Sequence, residues 1–129
     1  MKKKFLSYIL IIVFTLVIDL VYLSFLMKGF YDAQLIPFER TIRIIPALLV
    51  WILIPLGVII FVLPRSKELK KTVFFGAVYG FIVYGVYDLT NYAILEQWPI
   101  VMTIADIIWG TALCSIVSFV GYYLLRNKS

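Results

Sequence analysis

Three aspartates, Asp19, Asp88 and Asp106, lie inside stretches of sequence that are otherwise apolar enough for a lipid environment. An ionised side chain at membrane depth costs several kcal/mol unless it is paired or faces a cavity. Carboxyl groups in such a setting can hold a proton, bind a cation through their oxygen atoms, or work as an acid–base pair. Each of the three is therefore a candidate functional residue.

The three aspartates are predicted to lie at a common depth. Asp19 precedes Lys28 by about nine residues, Asp88 precedes Glu96 by about eight, and Asp106 follows Pro99 by about seven. At a helical rise of about 1.5 Å per residue, each lies roughly 10–14 Å below one membrane boundary. With a hydrocarbon core of about 30 Å, this depth is in one half of the bilayer, short of the midplane.

Helical periodicity assigns each aspartate to a face that also carries small or polar residues. Small residues let membrane helices approach closely, so we expect these faces to point into a bundle and to form a polar pocket. The three faces are Tyr8, Thr15, Asp19 and Tyr22; Gly76, Gly80, Tyr84, Asp88 and Asn91; and Thr103, Asp106, Gly110, Cys114 and Gly121.

The predicted ligand-binding set adds Arg43, Tyr84, Asn91 and Trp109 to the aspartates. Arg43 is expected to reach inward as a countercharge by extending its long side chain. One guanidinium leaves the carboxylates with excess negative charge, so one carboxyl group holds a proton or the site binds a cation. Asn91 is read either as part of this site or as a hydrogen-bonding residue between helices. No catalytic role is assigned to any residue.

The composition describes a membrane protein. Of 129 residues, 64% are hydrophobic, and the mean hydropathy is +1.04, whereas soluble domains are usually about 45–50% apolar. The chain has no histidine and one cysteine, which excludes His-based zinc sites, His-centred triads and an intrachain disulfide. No cofactor or metal is expected, and the net charge of +5 is attributed to membrane topology and not to nucleic acid.

The apolar runs predict an all-α, polytopic bundle of four transmembrane helices in a single membrane domain, residues 1–129. The helices are expected at about 5–27, 42–63, 72–95 and 100–125, each long enough to cross a bilayer. Pro55 is expected to bend the second helix, and Trp98 to anchor the turn before the fourth helix at the membrane interface.

The basic residues predict that both termini are cytoplasmic, because nine lie on one side of the predicted membrane and three on the other. The larger group is Lys2, Lys3, Lys4, Arg65, Lys67, Lys70, Lys71, Arg126 and Lys128, and the smaller is Lys28, Arg40 and Arg43. On this topology the three aspartates lie in the outer half of the membrane.

The stretch from Tyr87 to Gly110, YDLTNYAILEQWPIVMTIADIIWG, carries a family resemblance. Its DLTNYA run, its WP pair and its D-x-x-W-G ending resemble a family of small bacterial four-helix membrane proteins catalogued as a domain of unknown function. The resemblance implies a bacterial inner-membrane location and a multi-helix bundle, and no particular activity. It supports one functional unit, made of Asp88, Thr90, Asn91, Trp98, Asp106 and Trp109.

Three functions remain open from the sequence. The preferred hypothesis is a binding or transport-related module whose acidic pocket takes a cation, a proton or a small polar or lipid headgroup. The second is a membrane enzyme that acts on lipids or isoprenoids with Asp88 and Asp106 as an acid–base pair. The third is a structural subunit whose aspartates pair with another protein. Membrane lipids, a second copy of the chain or another membrane protein are the expected partners.

Overall fold

The computed structural model describes residues 2–126. Lys128, which the topology prediction counts, lies outside the described residues. Within the described range the chain contains helices and no strand, and four helical spans are long and apolar enough to cross a membrane. The prediction of an all-α protein with four membrane-spanning helices is confirmed.

The helices are α1 (Lys2–Val21), α2 (Lys28–Gln34), α3 (Ile44–Gly57), α4 (Leu69–Ile94) and α5 (Ile100–Arg126). Two π-helical segments, Tyr22–Leu26 and Val58–Val62, extend α1 and α3, and a 3-10 turn at Leu63–Arg65 follows the second. The four spans are Lys2–Leu26, Ile44–Arg65, Leu69–Ile94 and Ile100–Arg126, within about three residues of the bounds that hydropathy predicts. The short α2 and the two π-helical segments are not predicted from the sequence.

Pro55 lies inside α3, which continues through it to Gly57 before the backbone widens into the π-helical segment. Proline has no N–H, so the helix loses one backbone hydrogen bond at this point. Inserted π-helical turns are one of the ways in which helices accommodate such a disruption. The carbonyl oxygen of Ile54 accepts a hydrogen bond from the hydroxyl of Tyr79, 3.0 Å away on α4, which ties this part of α3 to its neighbour.

Helices α4 and α5 pack at close backbone range. A Cβ atom on Gly80 would lie 2.2 Å from the carbonyl oxygen of Gly110, and one on Gly76 would lie 2.7 Å from that of Cys114. Only glycine fits at such separations, so the predicted small-residue faces do meet inside the bundle. This packing fixes the faces that carry Asp88 and Asp106.

The bundle has one apolar core and a second cluster near one end. Ile11, Val58, Val62, Leu113 and Val117 form the buried core. Tyr31, Trp98 and Met102 form the second cluster at what we call the Trp98 end; the opposite end, which holds the start of α1 and the end of α5, is the Lys4 end.

Trp98 is buried in the second cluster instead of facing the membrane interface, contrary to the sequence expectation. Its side chain is 8% exposed, and its ring meets the ring of Phe38 edge-on at a centroid separation of 5.6 Å. The indole N–H donates to the hydroxyl of Thr103 at 3.1 Å. A tryptophan with a local acceptor for its N–H can be buried without an unpaired polar group, which accounts for the difference.

Candidate functional site

Asp19 connects three of the membrane-spanning helices. Its carboxylate accepts a hydrogen bond from the indole N–H of Trp51 on α3 at 2.7 Å, and another from the indole N–H of Trp109 on α5 at 2.8 Å. The side chain is 7% exposed. Both carboxyl oxygens therefore have a donor, which is how buried polar groups are normally stabilised.

A run of aromatic side chains connects Asp19 with Asp106. The ring of Trp109 stacks on that of Tyr22 with centroids 3.7 Å apart, and the hydroxyls of Tyr22 and Tyr31 are hydrogen-bonded at 3.1 Å. Tyr31 donates its hydroxyl proton to Asp106 at 3.1 Å. Because Tyr31 has one hydroxyl proton, Tyr22 is the donor of the bond between the two tyrosines. The short α2, which carries Tyr31, thereby contributes directly to the site.

Asp88 is the exception among the aspartates. It is 0% exposed, and neither of its carboxyl oxygens has a hydrogen-bond partner among the described residues. The carboxyl group of Asp106 on α5 is close enough to interact with it electrostatically. Thr103 contacts only the backbone at this position, donating to the Asp88 carbonyl oxygen at 3.5 Å. A buried carboxyl group without a donor requires a proton or a cation to be stable.

Asp106 lies at the wall of a cavity of about 350 Å³ near the Trp98 end. The other lining residues are mainly aromatic or aliphatic, with one arginine: Leu23, Tyr31, Leu35, Phe38, Arg40, Tyr87, Trp98 and Met102. A volume of about 300–1,000 Å³ with an apolar wall and a few polar groups is typical of a small-ligand site. We call this space the Asp106 pocket.

Arg40 brings a positive charge to the Asp106 pocket, but that charge is paired. Its guanidinium donates to Asp32 on α2 at 3.1 Å, and Lys28 contacts the other oxygen of the same carboxylate at 2.5 Å. These two contacts, with Lys28 the stronger influence, hold the pKa of Asp32 below its ordinary value. The three residues are exposed or partly exposed, so they form a solvated rim.

The structure does not bring Arg43 to the aspartates. Arg43 is exposed, it precedes the first residue of α3, and no carboxylate pairs with it within residues 2–126. The expectation that it supplies the countercharge is wrong for a physical reason. An exposed guanidinium keeps its hydration, whereas turning into the bundle would remove that hydration without a hydrogen-bonded partner.

The other predicted residues have different surroundings. Trp109 is part of the hydrogen-bonded network, and the ring of Tyr84 packs against Gly110. Asn91 is partly buried one helical turn from Tyr87, and no hydrogen bond joins its side chain to an aspartate in the described part of the chain. Thr90 is exposed. The three aspartates thus form two neighbouring groups: Asp19 with its indoles, and Asp88 with Asp106.

Three residues that contribute to the site are absent from the predicted set: Trp51, Tyr22 and Tyr31. Trp51 does have a signal, because it is the only side chain able to donate a hydrogen bond between Ile44 and Val62. Periodicity places Tyr22 on the polar face of the first helix but gives it no role in binding. Tyr31 has no such signal, since it lies in a segment predicted as a connection.

A metal centre built from all three aspartates is not formed. Among residues 2–126, no group of three His, Cys, Asp or Glu side chains is close enough to hold a metal ion. Two carboxyl groups and several aromatic rings suit a different chemistry, in which a proton is held between the carboxyl groups, and a cation is held by a carboxylate and ring faces.

The fold is that of an integral membrane protein. Four apolar helical spans surround buried carboxyl groups, and large hydrophobic side chains such as Phe61 and Phe74 are exposed on the outside. The sequence profile of the family described as "Predicted membrane protein (DUF2177)" matches residues 4–123. The chain therefore belongs to this family. No curated protein and no solved structure matches it.

Proposed function

We propose that this protein is a cation-binding, transport-related membrane protein in which Asp88 and Asp106 share a proton that a cationic ligand in the Asp106 pocket displaces. The observation that carries the proposal is the carboxyl group of Asp88, which is fully buried without a hydrogen-bond partner beside a second carboxyl group. Asp106, the second member of this pair, lines the Asp106 pocket, so the pair is in contact with the space in which a ligand would bind.

The shared proton is expected because burying two ionised carboxylates side by side is energetically costly. Removing an ionised carboxylate from water without a partner costs several kcal/mol, and a second carboxylate nearby adds repulsion. One proton held between Asp88 and Asp106 removes one charge and gives the buried group a hydrogen bond. The pair then carries one net negative charge, which remains available to a ligand at Asp106.

The pocket favours a compact organic cation. The faces of Tyr31, Phe38, Tyr87 and Trp98 are suited to cation–π contacts with an ammonium group, and the Asp106 carboxylate supplies the opposite charge. The charge of Arg40 is offset by Asp32 at the rim. A cation at Asp106 makes the second negative charge less costly, so binding of the cation and loss of the proton are linked.

The orientation is part of the proposal. With the nine basic residues on the cytoplasmic side, the Trp98 end faces outward, and the Asp106 pocket takes its ligand from the outer side of a bacterial inner membrane. Both termini are then cytoplasmic. The fewer basic residues near the pocket support this direction.

The test uses tetramethylammonium as the probe, with the purified protein in lipid nanodiscs and binding measured by calorimetry between pH 6 and pH 8. We expect affinity to rise with pH in the wild-type protein, because binding releases a proton. Asp106→Asn is expected to weaken binding by at least about tenfold, since the charged contact is lost. Asp88→Asn is expected to bind the probe with little pH dependence, because it imitates the protonated carboxyl group.

Glu96→Gln is the matched control, because Glu96 is an exposed acid at the same end and does not line the pocket. It is expected to bind as the wild-type protein does. Binding by Asp106→Asn at wild-type strength, or no binding of the probe by the wild-type protein, would exclude the proposal. Conversion of added membrane lipids by the wild-type protein but not by Asp88→Asn would favour the acid–base enzyme instead.

A further inference from the structure

A second cavity, of about 640 Å³, lies at the Lys4 end of the bundle and has a different character. It is lined by residues from the start of α1, the connection between α3 and α4, and the end of α5. Three of these residues are cationic: Lys4, Lys67 and Arg126. We propose that this space, the Lys4 cavity, binds the phosphate headgroup of an anionic membrane lipid.

Two of the cationic groups of the Lys4 cavity, those of Lys4 and Lys67, have no acidic partner among residues 2–126. Both residues are exposed. The acid closest in sequence, Glu68, pairs with Lys71 at 3.2 Å. Two ammonium groups from separate parts of the chain therefore converge on one cavity, and an anion is the ligand that this arrangement attracts.

Tyr122 holds the polar side of the cavity in place. Its side chain is 8% exposed, and its hydroxyl donates to the backbone carbonyl oxygen of Lys67 at 3.0 Å. The same hydroxyl accepts a hydrogen bond from Arg126, whose guanidinium lies 5.3 Å from the centroid of the Tyr122 ring. The loop that carries Lys67 and the end of α5 are thereby fixed relative to each other before a ligand binds, which lowers the entropic cost of binding.

Part of the lining of the cavity is apolar, and this favours a lipid over free phosphate. Ile59, Leu63 and Leu125 contribute to it, and Leu63 packs closely against Gly121, where an added Cβ atom would lie 2.9 Å from Leu63 Cδ1. The phosphate group of the lipid would contact the lysines, and the first carbons of the lipid's acyl chains would lie along the apolar part of the lining. Basic pockets between membrane helices on the cytoplasmic side are suited to this kind of headgroup.

The test measures the binding of a short-chain phosphatidylglycerol to the purified protein in detergent by native mass spectrometry. The variant Lys4→Gln/Lys67→Gln removes both converging charges. Its control is Lys2→Gln/Lys70→Gln, which has the same net charge and changes lysines two or three residues away in sequence that do not line the cavity. We expect a loss of about fivefold for each cavity lysine, or about 25-fold for both, and wild-type binding by the control.

All four lysines are exposed, so both double variants are expected to fold. Phosphatidylcholine with the same chains and inorganic phosphate are the comparison probes, and both are expected to bind more weakly than phosphatidylglycerol. The proposal is overturned if the cavity variant binds phosphatidylglycerol like the wild-type protein, or if the control loses as much. Equal binding of phosphatidylcholine would exclude recognition of the charge, and equal binding of inorganic phosphate would exclude the lipid.

Discussion

At the scale of single residues, two aspartates in different helices have opposite surroundings. Asp19 has a donor for each carboxyl oxygen, in Trp51 and Trp109, whereas Asp88 has none. A carboxylate held by two indole N–H groups from two other helices is suited to connecting those helices. A carboxyl group without a donor is suited to exchanging a proton or a cation. The residue type is the same, so the difference comes from the partners.

The role of Asp19 as a connection between helices leads to a prediction for Asp19→Asn. The amide keeps one acceptor oxygen but turns an N–H₂ group toward the second indole N–H, so one buried donor loses its acceptor. We expect a destabilisation of about 1–3 kcal/mol, measured by thermal or denaturant unfolding in detergent, with tetramethylammonium binding retained.

Trp109→Phe provides the control, since it removes one of the two donors. In the double variant Asp19→Asn/Trp109→Phe the loss is expected to be smaller than the sum of the two single losses, because both changes break the same contact. Additive losses, or no loss in Asp19→Asn alone, would contradict the connecting role.

The sequence predicts the positions of the aspartates better than their partners. Depth and face follow from counting residues along each helix, and the burial of Asp19 and Asp88 agrees with those faces. Partners depend on the rotation and separation of different helices, which one sequence does not contain. Trp51 donates to Asp19 from a helix with almost no polar side chains. Arg43, just before the first residue of the same helix, stays exposed to solvent.

At the scale of helices, the contact between α4 and α5 determines where the carboxyl pair lies. Gly80 is two helical turns from Asp88, and Gly110 is one turn from Asp106. The backbones touch at these glycines, so the aspartates on the same faces are held at close range. A change that separates the helices at Gly80 is therefore expected to affect both stability and the site.

Gly80→Ala tests this contact. The added methyl would lie 2.2 Å from a backbone oxygen of Gly110, which cannot rotate away, so the helices must separate. We expect a destabilisation of about 1–3 kcal/mol, measured as a lower unfolding temperature.

Gly85→Ala is the matched control on the same helix, because its added methyl meets nothing within 4 Å. It is expected to be neutral or stabilising by up to about 1 kcal/mol, since alanine has the higher helix propensity. Equal stabilities for the two variants would show that the contact at Gly80 tolerates a side chain.

Hydropathy predicts the long helices because each must bury its backbone in lipid over about 20 residues. The seven-residue α2 has no such requirement. Tertiary contacts hold it in place: Tyr31 contacts Asp106, and the Lys28–Asp32 pair spans one turn of the helix. Periodicity along the chain does not reveal contacts of this kind, so the sequence does not predict the part of the site that α2 contributes.

At the scale of the whole molecule, the two cavities are at opposite ends of a closed core. The Asp106 pocket is at the Trp98 end, and the Lys4 cavity is at the Lys4 end. The buried cluster that contains Ile11, Val58 and Leu113 lies in the bundle. Close packing of aliphatic side chains leaves no room for a polar ligand. A cation bound at Asp106 would therefore cross only after a rearrangement of the bundle or in an assembly of several chains.

The direction in which the two ends face decides what each cavity can meet, and single cysteines can report it. Cys114 is the only cysteine and is buried, so the wild-type chain is an unreactive background for a membrane-impermeant maleimide. Glu96→Cys and Lys70→Cys introduce exposed thiols near the Trp98 end and the Lys4 end, respectively. In intact cells we expect Glu96→Cys to be labelled at once and Lys70→Cys only after the membrane is permeabilised, because the proposed topology places the basic connections in the cytoplasm. The reverse labelling pattern would show that the Asp106 pocket faces the cytoplasm. It would contradict both the proposed ligand from the outer side and the proposed lipid of the inner leaflet.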